Sequence, residues 1–178
     1  MSSTLASMQS ENNRPPGNWF QAFSSNEAIM IADYCAEEVR RQGRTPIEVG
    51  HMIRAWFNAL ENQYGGAEFN VGLIEGWGML IEPEKNEKGF RTGPVYVQGG
   101  GIAIMKTPPD EIAGRFDKFF EHLPDMTALE AYREFEEIHP FWDGNGRVGK
   151  IILNWLNGTL LDPIFPPNDF WGRKIVNP

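Results

Sequence analysis

Residues 139–150 read HPFWDGNGRVGK, a mixture of residue types that neither a buried helix nor a buried strand would favour. Pro140 prevents a helix from continuing through this stretch, and the glycine-rich Gly144-Asn145-Gly146 favours a turn. Apolar residues recur with helical spacing before the stretch, over 129–138, and again after it, over 148–155. The stretch is therefore predicted to be a polar turn between two helices.

This turn combines residue types that suit phosphate chemistry. Backbone N–H groups at the start of the second helix, together with its dipole, favour an anion, and glycines let a phosphate approach closely. Arg147 and Lys150 fall in the first turns of that helix. Asp143 offers a hard oxygen ligand for Mg²⁺, and His139 can take a proton near neutral pH. The turn thus indicates transfer of a phosphate-containing group to a nucleophile.

The rest of the chain predicts one mostly helical domain. Its 178 residues suffice for a single core, and we expect residues 1–18 to be a mobile leader and 19–178 the domain. Glycines within the helix predicted over 70–81 are expected to mark close packing. Short β-prone runs around Gly99–Gly101 predict one small hairpin. Capping signals with apolar stripes predict further helices, which begin after Ser24, Thr45, Pro108 and Thr127.

Composition excludes several classes of partner. A net charge of −8 and a pI near 4.9 argue against binding a nucleic-acid duplex. No apolar run approaches the roughly 20 residues of a membrane span, and residues 1–18 lack the blocks of a secretory signal. The expected compartment is the cytoplasm, with delivery into another cell left open. The single cysteine, Cys35, is expected to be buried and reduced.

The stretch resembles the signature of the Fic family, H-P-F-x-(D/E)-G-N-G-R-x-x-R, at every defined position from His139 through Arg147. Lys150 stands where the family usually has the final arginine. The predicted hairpin, preceded by residues 89–91, is similar to the family's flap. The resemblance covers about residues 67–160 and implies a Fic-type helical bundle with one small β-hairpin flap.

The resemblance also implies a reaction and a role for each motif residue. In Fic enzymes the motif histidine deprotonates a Ser, Thr or Tyr hydroxyl of a target protein, which then attacks the α-phosphate of ATP. This role falls on His139, with Asp143 holding Mg²⁺ and Phe141 anchoring the loop in the core. The hairpin would align the target segment as an added strand. The residues implied in phosphate binding are Gly144, Asn145, Gly146, Arg147 and Lys150. The implied activity is that of a protein adenylyltransferase.

Three other functions remain open from the residues. A Doc-like kinase would transfer the γ-phosphate, but that branch typically has Lys where this chain has Gly146. Another nucleotide or a phosphocholine donor would use the same loop, and Lys150 would grip terminal phosphates less tightly than arginine. A non-catalytic binding module could keep the fold, although retention of His139 and Asp143 argues against it.

Regulation is expected to come from one of two sources. Many Fic proteins are held inactive by a helix with the pattern (S/T)-x-x-x-E-(G/N), which residues 7–12 fit, with Glu11 as the inhibitory glutamate. The family's other solution is a separate, small antitoxin-like inhibitor protein.

Overall fold

A computed structural model describes residues 24–99 and 102–167. The expected leader over 1–18 and the possible inhibitory Glu11 lie outside these residues. The described part contains one antiparallel hairpin, β1 Tyr96–Gly99 paired with β2 Ile102–Met105, in which Tyr96 is opposite Met105. It also contains six α-helices: α1 Ser25–Arg41, α2 Pro46–Tyr64, α3 Val71–Ile81, α4 Ile112–His122, α5 Ala128–Ile138 and α6 Asn145–Asn157. The prediction of a mostly helical fold with one small hairpin is confirmed.

Local capping explains where several helices begin. At α1, Ser24 Oγ accepts from the N–H of Glu27 at 3.2 Å, and Glu27 Oε2 accepts from the N–H of Ser24 at 2.7 Å. Thr127 and Glu130 form the same capping box at the start of α5. Each box satisfies amides that lack a partner in the helix, which stabilises the first turn. These boxes confirm the predicted starts after Ser24 and Thr127.

Helix α6 lies at the centre of the domain, because ten of its 13 residues are buried. It packs against α5, α3 and α2. Its buried face includes Ile151 and Ile152, both fully buried. Since α6 begins directly after the turn, its central position holds the turn's polar side chains at the edge of the core. Cys35 is buried as predicted, and burial raises the pKa of its thiol to about 12.

No helix within residues 24–99 and 102–167 has both the length and the apolar character needed to cross a membrane.

Only one of the α3 glycines expected to mark close packing touches the motif turn. A Cβ at Gly78 would stand 2.2 Å from the ring of Phe141, whereas a Cβ at Gly76 would meet nothing within 4 Å. Gly78 therefore makes room for the phenylalanine of the turn, and Phe141 is fully buried against it.

Gly78→Ala is expected to destabilise the protein by about 1–3 kcal/mol, because the added methyl group overpacks the contact with Phe141. Gly76→Ala is the matched control on the same helix and should instead stabilise by up to about 1 kcal/mol through helix propensity. Chemical denaturation of both variants measures the difference. Equal free energies of unfolding in the two variants would contradict the close approach.

Candidate active site

The turn between α5 and α6 begins in a backbone conformation that is unusual for a side-chain-bearing residue. His139 has φ 49° and ψ 59°, and it is the only non-glycine residue with positive φ in the described part of the chain. Its N–H donates to the carbonyl of Phe135 at 2.9 Å, which supports this left-handed geometry. Gly144 has φ 81° and serves as N-cap of α6. The two left-handed residues thus bound a tight polar turn.

Asn145 and Phe141 hold this turn in shape. Asn145 Oδ1 accepts from the N–H of Phe141 at 2.9 Å, and Asn145 Nδ2 donates to the carbonyl of Phe141 at 2.9 Å. The ring of Phe141 packs against Phe90 and Phe135, with centroids 5.3 and 6.5 Å away. Both polar atoms of the Asn145 side chain therefore hydrogen-bond to the loop backbone. The contact of Asn145 with a phosphate stays a prediction.

Arg91 ties the hairpin to the turn, although the sequence indicated it only as part of a flap-like stretch. It is buried, and its N–H donates to the carbonyl of Pro140 at 2.9 Å. Burial lowers the pKa of its guanidinium. The guanidinium donates to three backbone carbonyls, those of His139 at 2.8 Å, Gly93 at 2.8 Å and Thr107. One side chain thus connects both ends of the hairpin to His139.

The environment of His139 favours the neutral imidazole. Burial, followed by the charges of Lys106 and Arg91, lowers the pKa of His139 to about 4. Nδ1 lies 3.3 Å from the backbone carbonyl of Glu136. A proton on Nδ1 would be donated to that carbonyl, which leaves Nε2 with a lone pair. The imidazole can therefore accept a proton at neutral pH.

Asp143 is surrounded by positively charged partners that the sequence did not reveal. Oδ1 accepts from Arg44 Nη2 at 2.6 Å and from the N–H of Gly144 at 2.7 Å, while Oδ2 accepts from Lys85 Nζ. Burial alone would raise the pKa of Asp143, but the hydrogen bonds from Lys85 and Gly144 and the charge of Arg44 hold it below its usual value. Asp143 is therefore a carboxylate at neutral pH.

Arg147 is fully buried and only partly satisfied. Its guanidinium pairs with Glu82, and its Nη1 lies 3.6 Å from Glu48 Oε1. Nε and Nη1 are buried, yet neither finds a hydrogen-bond partner among the described residues. Buried donors without acceptors are unfavourable unless a further group binds to them. The orphaned donors of Arg147 would suit an anion.

Lys150 lies inside the helical packing. Its Nζ is 3.3 Å from Glu38 Oε1 and donates to the hydroxyl of Tyr132 at 3.1 Å, and its side chain is 5% exposed. Burial alone would lower the pKa of Lys150, but Glu38, Tyr132 and the nearby Glu136 raise it. A compact ammonium fits between the carboxylate and the phenol. Lys150 already has a buried partner in Glu38. Its contact with the terminal phosphates of a nucleotide therefore stays a prediction.

Lys150→Met is expected to destabilise the protein by about 3–5 kcal/mol, because it leaves the buried carboxylate of Glu38 without its cation. The double variant with Glu38→Gln should lose less free energy of unfolding than Lys150→Met alone, since no buried charge then remains unpaired. Denaturant unfolding of the two single variants and the double variant measures this coupling. Additive losses would show that the two charges do not depend on each other.

The comparisons with known proteins identify the domain. Residues 73–157 match the family model described as the Fic/DOC family. Residues 73–157 form a Fic/DOC domain. The resemblance drawn from the motif is thereby confirmed, and the match contains the whole turn. Among curated proteins, none matches the chain.

Solved structures show the same fold as this Fic domain. A Fic family protein from Desulfovibrio desulfuricans G20 matches with a TM-score of 0.54 and 18% identity, over 82% of this chain and 55% of that one. IbpAFic2 matches with a TM-score of 0.53 and 20% identity, over 82% of this chain and 50% of that one. Fic-1 from C. elegans matches with a TM-score of 0.52 and 16% identity, over 85% of this chain and 54% of that one. This chain therefore spans about half the length of each of these solved chains.

The turn of this Fic domain fits a phosphate group and one divalent cation. The Lys85 ammonium donates to Asp143 Oδ2, and its side chain is about half exposed. If this exposed side chain moves into solvent, another cation can bind at Oδ2. Asp143 could then hold Mg²⁺, which often takes one or two carboxylates plus phosphate oxygens and waters. The described residues contain no cluster of three or more His, Cys, Asp or Glu that could enclose a metal. A shared site, completed by the phosphates, is the arrangement these residues suit.

Proposed function

We propose that this chain transfers AMP from ATP to a hydroxyl side chain of a target protein. The observation that carries the proposal is His139, a half-buried imidazole neutral at pH 7, in a turn that also supplies Asp143 and leads into α6 with the orphaned donors of Arg147. The Fic/DOC family generally consists of nucleotidyl or AMP transferases, which supports the same reaction class.

In the proposed reaction His139 Nε2 takes the proton of the target hydroxyl. The hydroxyl oxygen then attacks the α-phosphorus of ATP, the bond from this phosphorus to the oxygen bridging to the β-phosphate breaks, and pyrophosphate leaves. Arg147 and the N-terminus of α6 stabilise negative charge on the phosphates. Mg²⁺ bound at Asp143 would supply further charge neutralisation there. The exposed edge of the hairpin would align the target segment by strand addition.

The packing around Gly146 favours adenylyl transfer over the kinase alternative. A Cβ at this position would lie 3.2 Å from Gln42 Nε2 and 3.7 Å from Glu136 Oε1. A lysine there, as in the Doc-like branch, would have to displace the side chain of Gln42. The small residue also keeps the backbone of α6 open to a phosphate.

Incubation of the full chain with a cell lysate and ATP labelled at either the α- or the γ-phosphate tests the proposal. Adenylyl transfer leaves the α-label on a protein and releases the γ-label with pyrophosphate. Protein that retains the γ-label alone would indicate a kinase and overturn the proposal. Absence of both labels, under conditions in which the chain is folded and binds Mg·ATP, would also count against it.

A further inference from the structure

Glu136 is a buried carboxylate in the last turn of α5 that the proposed reaction does not use. The residue is 3% exposed, and its Oε1 finds no hydrogen-bond partner among the described residues. A buried carboxylate oxygen without a donor is unfavourable for stability. Its place in the fold therefore needs an explanation other than packing.

Both polar groups of Glu136 lie at one nitrogen of His139. The backbone carbonyl oxygen is 3.3 Å from Nδ1, and the carboxylate Oε2 is 3.7 Å from the same atom. The left-handed backbone of His139 ends the helix, and its imidazole lies beside the residue three positions earlier. Nε2, the atom that would act as the base, is left on the other side of the ring.

Helix α6 leaves space for this carboxylate. A Cβ at Gly149 would stand 2.8 Å from Glu136 Oε1 and 2.8 Å from the ring of Tyr132. A side chain at position 149 would therefore push the carboxylate from its place. The glycine lets Glu136 lie between the two helices while it remains beside His139.

The surrounding charges leave Glu136 able to ionise near neutral pH. Burial raises the pKa of Glu136 to about 7, and it lowers that of His139 to about 4. The charged groups that act on Glu136 come from two other helices, from the loop after β2 and from its own helix: Lys150 on α6, Glu38 on α1, Lys106 after β2 and Glu137 on α5. Those that act on His139 are Lys106, Arg91 and Asp143.

We propose that Glu136 is a positioning residue for His139. Its carbonyl holds the proton on Nδ1, so that Nε2 faces the target hydroxyl as the base, and its carboxylate stabilises the imidazolium formed when Nε2 takes the hydroxyl proton. The Nδ1 proton stays on the ring throughout, so no second proton transfer is required. The catalytic part of this assignment rests on the proposed function, whereas the pairing of the two side chains does not.

Magnetic resonance of the folded chain tests the pairing without any activity. The chain has three histidines, so His51 and His122 serve as internal references for His139. Ionisation of a carboxylate 3.7 Å from Nδ1 should shift the ring signals of His139 in a step near pH 7, separate from its own protonation at lower pH. Glu136→Gln should abolish the step near pH 7. Glu134→Gln, a control on the same helix whose carboxylate pairs with Arg115, should keep it.

Kinetics then test the catalytic consequence. The ionised form of Glu136 is the one that stabilises the imidazolium, so kcat of the wild type should rise as pH increases through 7. Glu136→Gln should lose this rise and show kcat about tenfold lower, the factor that corresponds to one pKa unit, with KM for ATP unchanged. A merely structural role would instead lower stability and leave the shape of the pH profile intact.

Two results would overturn the inference. One is a wild-type His139 signal with no step near pH 7, or a step that persists in Glu136→Gln. The other is a Glu136→Gln variant with the wild-type kcat and pH profile. If the wild type labels no protein at all, the proposed function fails, and the resonance experiment still decides whether Glu136 and His139 are paired.

Discussion

His139→Ala is expected to reduce labelling of the target protein by roughly 10²- to 10⁴-fold, because it removes the general base. Its imidazole is neutral at pH 7, and no other histidine lies within the turn of residues 139–150. Its Nδ1 lies 3.3 Å from the carbonyl of Glu136, and the residue is outside the hydrophobic core cluster. Rates of incorporation from α-labelled ATP measure the effect.

The control for this variant must allow for the left-handed backbone at position 139. Alanine is disfavoured at positive φ, whereas asparagine adopts that region more readily. His139→Asn therefore removes the base with less strain, and it should lose as much activity as the alanine variant. Unfolding midpoints of both variants show whether the fold is kept. Labelling at the wild-type rate in either folded variant would remove His139 from its role.

Asp143→Ala is expected to lower kcat/KM with Mg·ATP by roughly 10²- to 10³-fold, the usual effect of losing one electrostatic contact to the reacting group. The variant loses the carboxylate proposed to hold Mg²⁺. It also leaves the N–H of Gly144 and the cation of Arg44 without their acceptor. Calorimetric titration with ATP, in the presence and absence of Mg²⁺, separates metal-dependent from metal-independent affinity.

Lys85→Ala provides a control with the opposite sign. Lys85 donates to Asp143 Oδ2, so it competes with a divalent cation for that oxygen. Its removal should strengthen Mg²⁺-dependent binding of ATP, while Asp143→Ala weakens it. Unchanged affinity for Mg·ATP in Asp143→Ala would show that this carboxylate does not hold the metal.

The elements that the sequence predicted are those specified by neighbouring residues. Ser24 and Glu27 lie three positions apart, and so do Thr127 and Glu130, so each capping box could be recognised in the sequence. The chemistry of the turn could be predicted for the same reason, because its residues are contiguous.

The features that the sequence did not reveal depend on contacts between distant segments. Asp143 pairs with Arg44, which lies between α1 and α2, and Lys150 on α6 pairs with Glu38 on α1. The space beside Gly78 is equally specific, since Gly76 on the same helix has no such neighbour. No periodicity or spacing distinguishes these residues from solvated charges or ordinary helix glycines.

Mass spectrometry of the modified target peptide tests whether this Fic domain attaches AMP to a hydroxyl group. The target would be isolated by its label after reaction with the wild type, with His139→Ala as the parallel blank. We expect a Ser, Thr or Tyr residue that carries AMP in the wild-type reaction and is unmodified in the blank. A residue that carries phosphate alone, phosphocholine or another nucleotide, or AMP that also forms with His139→Ala, would contradict it.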